Sequence, residues 1–316
     1  MSNVKISGFY DEANPNIEEQ CKLVVSFNEK YLCPRRIKKG KEITDYTKDE
    51  FEKEVKPILD KYGVKFSSIG SKIGKMNLYD NESYEIQKNK LKELVKIAQL
   101  MECKYIRIFS FFVDAKGNYD EYFSEVVKKL KGFLEIVKGT DVILLHENEK
   151  KIFGDTPERV KKLYSEINDP QFKLVFDASN YIQCDVDAKV AYEELKDITE
   201  YYHIKDCSKE KVEVPIGMGE GGYEHMIYDL IVNRKYDGFL TLEPHTGKYA
   251  IGRNYTKFLF PITNLIPVTK NWKKVFDKID AKMGIKKSEK VSTTQIFKWQ
   301  YDGLKIMIKN AEEKEN

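Results

Sequence analysis

Four polar side chains stand at or just after an apolar run in the second half of the 316-residue chain: Glu147, Asp177, His203 and Glu243. Carboxylates in an apolar setting are costly unless something pairs with them, and a divalent metal ion is one such partner. Three carboxylates and one imidazole suit Mn²⁺, Mg²⁺, Co²⁺ or Zn²⁺. Each residue alone is more typical of a helix cap, an ion pair or a buried histidine. Together they predict one shared divalent-metal site.

The elements that must position these residues alternate between strand-like and helix-like patterns. Eight strands are predicted, over residues 4–10, 30–33, 64–69, 105–112, 142–147, 173–177, 201–205 and 238–243. Because eight strands alternating with helices match the size of a (β/α)8 barrel, the sequence predicts this α/β fold, with the eighth helix within residues 249–265. The carboxyl ends of barrel strands meet at one mouth, so the four side chains would share a site there.

The segment from residue 267 to residue 316 differs from the rest. It is rich in lysine and carries both tryptophans, Trp272 and Trp299. Their amphipathic helical spacing favours a helical extension packed against the barrel over a disordered tail. We therefore expect a barrel over residues 1–266 and a helical C-terminal extension over residues 267–316, with a frayed polar end.

Composition excludes several classes of protein. The formal net charge is only +3, from 54 basic and 51 acidic residues, which gives no support to a nucleic-acid or membrane partner. The chain contains no apolar run near the ~20 residues that span a bilayer, and its first residues do not have the pattern of a signal peptide. The five cysteines are scattered, without CxxC spacing. A reduced, cytoplasmic protein is the simplest interpretation.

Five segments carry a family resemblance. HENEKKIFGDT, VFDASN, YYHIKD, VPIGMGEGG and GFLTLEPH, in this order and spacing, resemble the sugar-phosphate isomerase/epimerase group of the xylose isomerase-like TIM barrels. The resemblance implies that Glu147, Asp177, His203 and Glu243 bind one divalent metal ion. It places the nearby Glu149 outside the ligand set, because the family has its ligand directly before an asparagine.

The same resemblance implies an activity. A small sugar or sugar phosphate would be isomerised or epimerised by proton transfer through an enediolate that the metal stabilises. Glu147 and Glu243 are implied to be the catalytic pair, each able to act as base or acid.

Substrate contacts are expected from residues near the strand ends: Asn180, Lys205, Asp206, Lys209 and Lys72. The sequence departs from the family at three places. Asn180 stands where family members often have a histidine, Lys209 where many have an arginine, and Cys33 where many have an acidic residue. These departures leave the metal ligands whole, and they keep open a shifted substrate or a weakened activity.

Two alternatives to an isomerase or epimerase remain. One is a metal-dependent dehydratase, a lyase acting on an inosose-like keto-sugar, and the other is a non-catalytic sugar-binding barrel. Apurinic endonucleases share the fold but use a histidine-rich zinc cluster, and four histidines in the whole chain argue against that activity. Barrels of this group often associate, so a homo-oligomer is compatible with the sequence.

Overall fold

The computed structural model describes residues 3–114, 116–245, 247, 249–250, 252–253, 267–286 and 288–315. Eight strands surround a common core, the third of them in two segments. They are β1 (Lys5–Gly8), β2 (Tyr31–Leu32), β3 (Lys65–Phe66 and Ile69–Ile73), β4 (Tyr105–Ile108), β5 (Ile143–Glu147), β6 (Phe172–Asp177), β7 (Thr199–Ile204) and β8 (Phe239–Leu242).

Parallel pairing joins these strands into a barrel. Seven of them form one sheet in the order β1-β8-β7-β6-β5-β4-β3, where β3 takes part through its second segment. The short strand β2 pairs with the first segment of β3. It also bridges the two edges of the sheet, since the Cys33 amide donates to the Gly8 carbonyl and the Gly70 amide donates to the Pro34 carbonyl, each at 2.9 Å. The predicted (β/α)8 fold is confirmed.

Eleven α-helices have both bounds among the described residues. They are α1 (Ile17–Ser26), α2 (Lys48–Glu54), α3 (Lys56–Tyr62), α4 (Asn81–Leu100), α5 (Tyr119–Val137), α6 (Pro157–Ile167), α7 (Ala178–Gln183), α8 (Ala188–Leu195), α9 (Tyr223–Tyr228), α10 (Pro267–Met283) and α11 (Thr293–Glu315). Their apolar faces cover the strands from outside, and β5 is buried along its whole length. Burial on both faces explains why the strands of the second half are almost continuously apolar.

The helix that closes the barrel wall is α11. It packs against α9 and against the 3-10 turn after β1, so it lies where an eighth barrel helix belongs. The ring of Phe297 lies 4.6 Å from that of Tyr10, and the hydroxyl of Tyr301 donates to the Phe27 carbonyl at 2.9 Å. Gly8 makes room for this helix, because a Cβ there would stand 2.7 Å from the Phe297 ring.

One expectation falls mostly outside the described residues. The sequence predicts the eighth helix within residues 249–265, of which 249–250 and 252–253 are helical, whereas 251 and 254–265 lie outside the described residues. The wall between α9 and α1 is built by α11, because its aromatic face fits the gap beside β1. The helix also runs to Glu315, where the sequence predicts a frayed end. The division of the chain at residue 266 remains a prediction.

The rest of the C-terminal segment packs at the mouth. Val275, Phe276 and Ile279 of α10 form an apolar cluster with Val212 and Val214, which belong to a β-hairpin after β7. Both tryptophans, expected to hold this segment to the barrel, are partly buried against the same cluster. Among the described residues, no helix combines the length and the apolar character that crossing a membrane requires.

Candidate metal and active site

The four predicted ligands meet at the mouth of the barrel. Glu147 ends β5, Asp177 ends β6, His203 lies in β7 and Glu243 follows β8. Each offers a nitrogen or oxygen atom, and these atoms all lie within 4.8 Å of one another. All four side chains are buried. Strand register contributes directly, since His203 is paired with Asp177 on β6 and with Thr241 on β8.

His203 lies between the two glutamates. Its Nδ1 is 3.1 Å from Glu147 Oε1 and 3.3 Å from Glu243 Oε2. Burial alone would lower the pKa of the imidazole, but the negative charges of the glutamates outweigh burial and raise this pKa to about 9. The imidazole therefore carries a proton at neutral pH unless a metal ion displaces it.

Asp177 combines a structural and a chemical position. Its Oδ1 accepts a hydrogen bond from the backbone amide of Asn180 at 3.0 Å and so caps α7, which is the ordinary role of an aspartate at a helix N-terminus. Its Oδ2 points instead to Lys205, whose Nζ is 2.8 Å away. Burial raises the pKa of Asp177 to about 6, although Lys205 opposes the shift. The carboxyl group is therefore mostly ionised at pH 7.

The residues present fit a divalent metal ion. Asp177 Oδ2 and Glu243 Oε2 are buried oxygens that accept no hydrogen bond of normal geometry from the described residues. Burial alone would raise the pKa of Glu147, but His203 and Arg107 lower it to about 2. Lys205 and Arg107 similarly hold the pKa of Glu243 well below its usual range. Three ionised carboxylates around one imidazole are a ligand set for a hard or borderline cation.

Two of the five expected substrate contacts lie beside this cluster. Lys205 Nζ is 3.0 Å from Asn180 Oδ1, and both side chains are buried. Asn180 Nδ2 also donates to Glu147 Oε1 at 3.2 Å. These two residues therefore contact the predicted ligands directly.

The other three expected contacts lie elsewhere. The buried carboxylate of Asp206 accepts the amides of Gly217, Gly219 and Gly221, and so organises the loop before α9. Lys209 is on the exposed turn of the hairpin that follows β7.

Lys72 is half exposed and pairs with Glu42 at 2.6 Å. As expected for a residue outside the ligand set, Glu149 pairs with Lys75 at 2.8 Å. Cys33 is buried, and its thiol lies 3.1 Å from the Ser68 hydroxyl.

Sequence reasoning missed two arginines. Arg107 of β4 places Nη1 2.9 Å from Glu147 Oε2 and 3.3 Å from Glu243 Oε1. Arg35 lies 3.1 Å from Glu243 Oε1 and also pairs with Asp11 and Glu12. A charged residue in the middle of the apolar run Tyr-Ile-Arg-Ile was the available signal for Arg107. The basic loop around Arg35 contained no comparable signal.

The fold is shared with solved structures of very different sequence. D-Psicose 3-epimerase from Clostridium cellulolyticum H10, solved with D-tagatose, is 12% identical, with a TM-score of 0.65 over 96% of this chain and 99% of that one. A xylose isomerase-like TIM barrel protein from Mycobacterium smegmatis, in complex with magnesium, is 11% identical, with a TM-score of 0.65 over 98% of each chain.

A probable 3-DHS dehydratase from Bacillus anthracis is 16% identical, with a TM-score of 0.60 over 76% of this chain and 92% of that one. No curated protein matches the sequence. Residues 33–260, well over half of the chain, match the family described as xylose isomerase-like TIM barrel. The chain therefore belongs to the xylose isomerase-like TIM barrel family.

Proposed function

We propose that the protein is a divalent-metal-dependent isomerase or epimerase of a small sugar or sugar phosphate. One observation carries the proposal, namely the convergence of four buried donors, Glu147, Asp177, His203 and Glu243, at the mouth of the barrel. An ion held by these donors would polarise a sugar carbonyl and stabilise the negative charge that develops on its oxygen. Similarity to sugar epimerases of the same fold supports the same class of reaction.

The protein's own residues would move the proton. Glu147 and Glu243 are kept ionised, so either can accept a proton from the carbon next to the carbonyl group. The proton returned to the neighbouring carbon gives an isomer, and the proton returned to the opposite face of the same carbon gives an epimer. Lys205 and Asn180 would bind and orient sugar hydroxyl groups, since their polar ends lie beside the four predicted ligands.

A dehydratase is the second candidate, favoured by the buried ammonium group of Lys205. In that reaction a glutamate takes the carbon-bound proton, the carbon–oxygen bond breaks and the hydroxyl leaves as water after accepting a proton from Lys205. The ammonium group of Lys205 lies 2.8 Å from Asp177 and 3.7 Å from Glu243, which supports a role as proton donor in this candidate reaction. One of the similar folds is that of a probable dehydratase.

Metal content and proton exchange test both candidates. Purified wild type is compared with Glu243→Ala, and with Glu149→Ala as a matched control that removes a nearby carboxylate outside the cluster. Each protein is analysed for divalent metals and then incubated in D₂O with ketoses and their phosphates. We expect about one ion per chain in the wild type and the control, lost in Glu243→Ala, with deuterium uptake into one sugar.

The other outcomes are informative. Metal with loss of water from a keto-sugar, and no exchange into any ketose, would favour the dehydratase. Sugar binding without stoichiometric metal would identify a non-catalytic binding barrel and contradict the proposal.

A further inference from the structure

Arg107 forms the floor of the site. It is only 4% exposed, and its register partner on β5 is Leu145, two residues before Glu147, so it lies below the ligands inside the barrel. Two of its guanidinium nitrogens are anchored to β3. Nε donates to the Ser71 carbonyl at 3.2 Å, and Nη2 donates to the Gly70 carbonyl at 3.3 Å. The backbone of β3 therefore fixes the guanidinium group of Arg107 independently of its contacts with the two glutamates.

The third nitrogen, Nη1, contacts both glutamates. It donates to Oε2 of Glu147 at 2.9 Å and to Oε1 of Glu243 at 3.3 Å. The remaining oxygens, Oε1 of Glu147 and Oε2 of Glu243, are the ones that face His203. Arg35 Nη1, at 3.1 Å, and His245 Nε2, at 3.3 Å, also lie beside Oε1 of Glu243. Arg107 thus contacts one oxygen of both glutamates and leaves the other oxygen of each directed to the centre of the cluster.

Aromatic rings keep the guanidinium group in place. Its carbon is 4.8 Å from the centre of the Phe9 ring and 5.1 Å from that of Phe109. Gly70 allows Phe9 to lie there, because a Cβ on residue 70 would stand 2.3 Å from that ring. Among the described arginines, Arg107 alone contacts both glutamates, whereas Arg35 contacts only Glu243 of the pair.

We propose that Arg107 is a positioning residue, which determines the oxygen that each glutamate offers to the metal ion. A planar guanidinium group with several donors can anchor on β3 and bridge two carboxylates at once, whereas a lysine ammonium is a single point of charge. The proposal rests on the proposed function only in that the cluster binds a divalent ion.

Two substitutions separate geometry from charge. Arg107→Lys keeps the positive charge but loses the planar guanidinium group with its several donors. Arg107→Gln keeps a hydrogen-bond donor but loses the charge. Mn²⁺ is titrated into each metal-free protein, and its affinity and electron paramagnetic resonance spectrum are recorded. For a positioning role we expect Arg107→Lys to bind Mn²⁺ about tenfold or more weakly, within the range of metal-site supporting residues, and with an altered spectrum. Arg36→Gln, at an exposed arginine, is the control.

If Arg107→Lys has the Mn²⁺ affinity and the spectrum of the wild type, the proposal is overturned. Tighter Mn²⁺ binding by Arg107→Gln would then show that Arg107 affects the metal ion only through its positive charge. If Arg107→Lys does not fold, Phe109→Leu provides the second test, since it removes one ring and keeps every hydrogen bond of the arginine. We expect the same spectral change, smaller in size, and an unchanged spectrum would contradict the proposal. Mn²⁺ binding is read without any sugar, so an incorrect substrate class would not affect this result.

Discussion

The two halves of the barrel contribute different kinds of side chain to the site. Strands β5 to β8 supply three carboxylates and an imidazole at the mouth. Strands β1 to β4 and their loops supply Arg35 and Arg107, which contact the glutamates, and Phe9, whose ring packs against His203 and both arginines. The difference teaches that all four predicted ligands come from the second half of the barrel, whereas the two arginines that contact their glutamates come from the first half. Changes in the second half should affect metal binding, and changes in the first half should affect the stability or geometry of the ligands.

The largest expected effect concerns the helix that joins the two halves. Phe297 of α11 is buried against β1 and against Tyr10. Phe297→Ala removes a large core ring, so we expect the free energy of unfolding to fall by about 3–5 kcal/mol, measured by urea denaturation. Ile306→Ala, at a residue of the same helix that is 59% exposed, is the control and should change it by less than about 0.5 kcal/mol. A small loss in Phe297→Ala would show that α11 does not complete the wall.

Next in size is the removal of a first-half charge. Arg35→Met leaves Asp11, Glu12 and Glu243 without their shared cation, in a place where these carboxylates have little access to water. We expect a loss of about 3 kcal/mol in the free energy of unfolding, because one partner of a buried ion pair is removed. The neighbouring Arg36→Met, at an exposed residue, should leave stability nearly unchanged. Equal losses in both variants would show that the ion pairs of Arg35 with these carboxylates do not stabilise the fold.

A second-half ligand should behave differently. Asp177→Asn removes the charge of the only predicted ligand on β6, so we expect divalent-metal affinity to fall by about 100-fold or more, measured by calorimetric titration. Asn can still cap α7 through its side-chain oxygen, so the helix should remain intact. Glu149→Gln serves as the matched control. Unchanged metal affinity in Asp177→Asn would exclude this residue from the site.

The smallest expected effect concerns His146, the residue on β5 directly before Glu147. His146 is buried without a hydrogen-bond partner among the described residues, and burial lowers its pKa to about 4. The folded protein therefore prefers neutral His146, and its contribution to stability, complete above pH 6.5, is lost as the pH falls towards 4. We expect the wild type to lose about 2 kcal/mol more than His146→Gln between pH 7 and pH 5, measured by denaturation at each pH. Parallel pH profiles would contradict this assignment.

Much of the fold could be predicted because strands and ligands are local patterns. Apolar runs that end in an acidic residue predicted β5, β6 and β8 and the residues at their ends, and the structure brings all four predicted ligands together. The contact of Arg107 with the two glutamates could not be predicted, because a single charged residue within a strand does not indicate its partner. The sequence predicts a substrate contact at Asp206 because this residue follows β7, but in the structure three glycine amides donate to its carboxylate.

The place of α11 could not be predicted for a different reason. Its helical pattern is local, but its docking depends on the absence of a side chain at Gly8, far away in the chain. No local signal distinguishes a helix that lies beside the wall from one that is part of it.

This docking has a consequence for how the protein is made. Thr293 of α11 donates to the carbonyl of Ala13, 280 residues earlier. At a synthesis rate of about 5–20 residues per second, α11 is synthesised on the order of 15–55 s after β1, and until then the outer side of β1 is not covered by it. During that interval a growing chain exposes Tyr10 and Phe27, so we expect chaperones that bind aromatic surfaces to protect the nascent protein there.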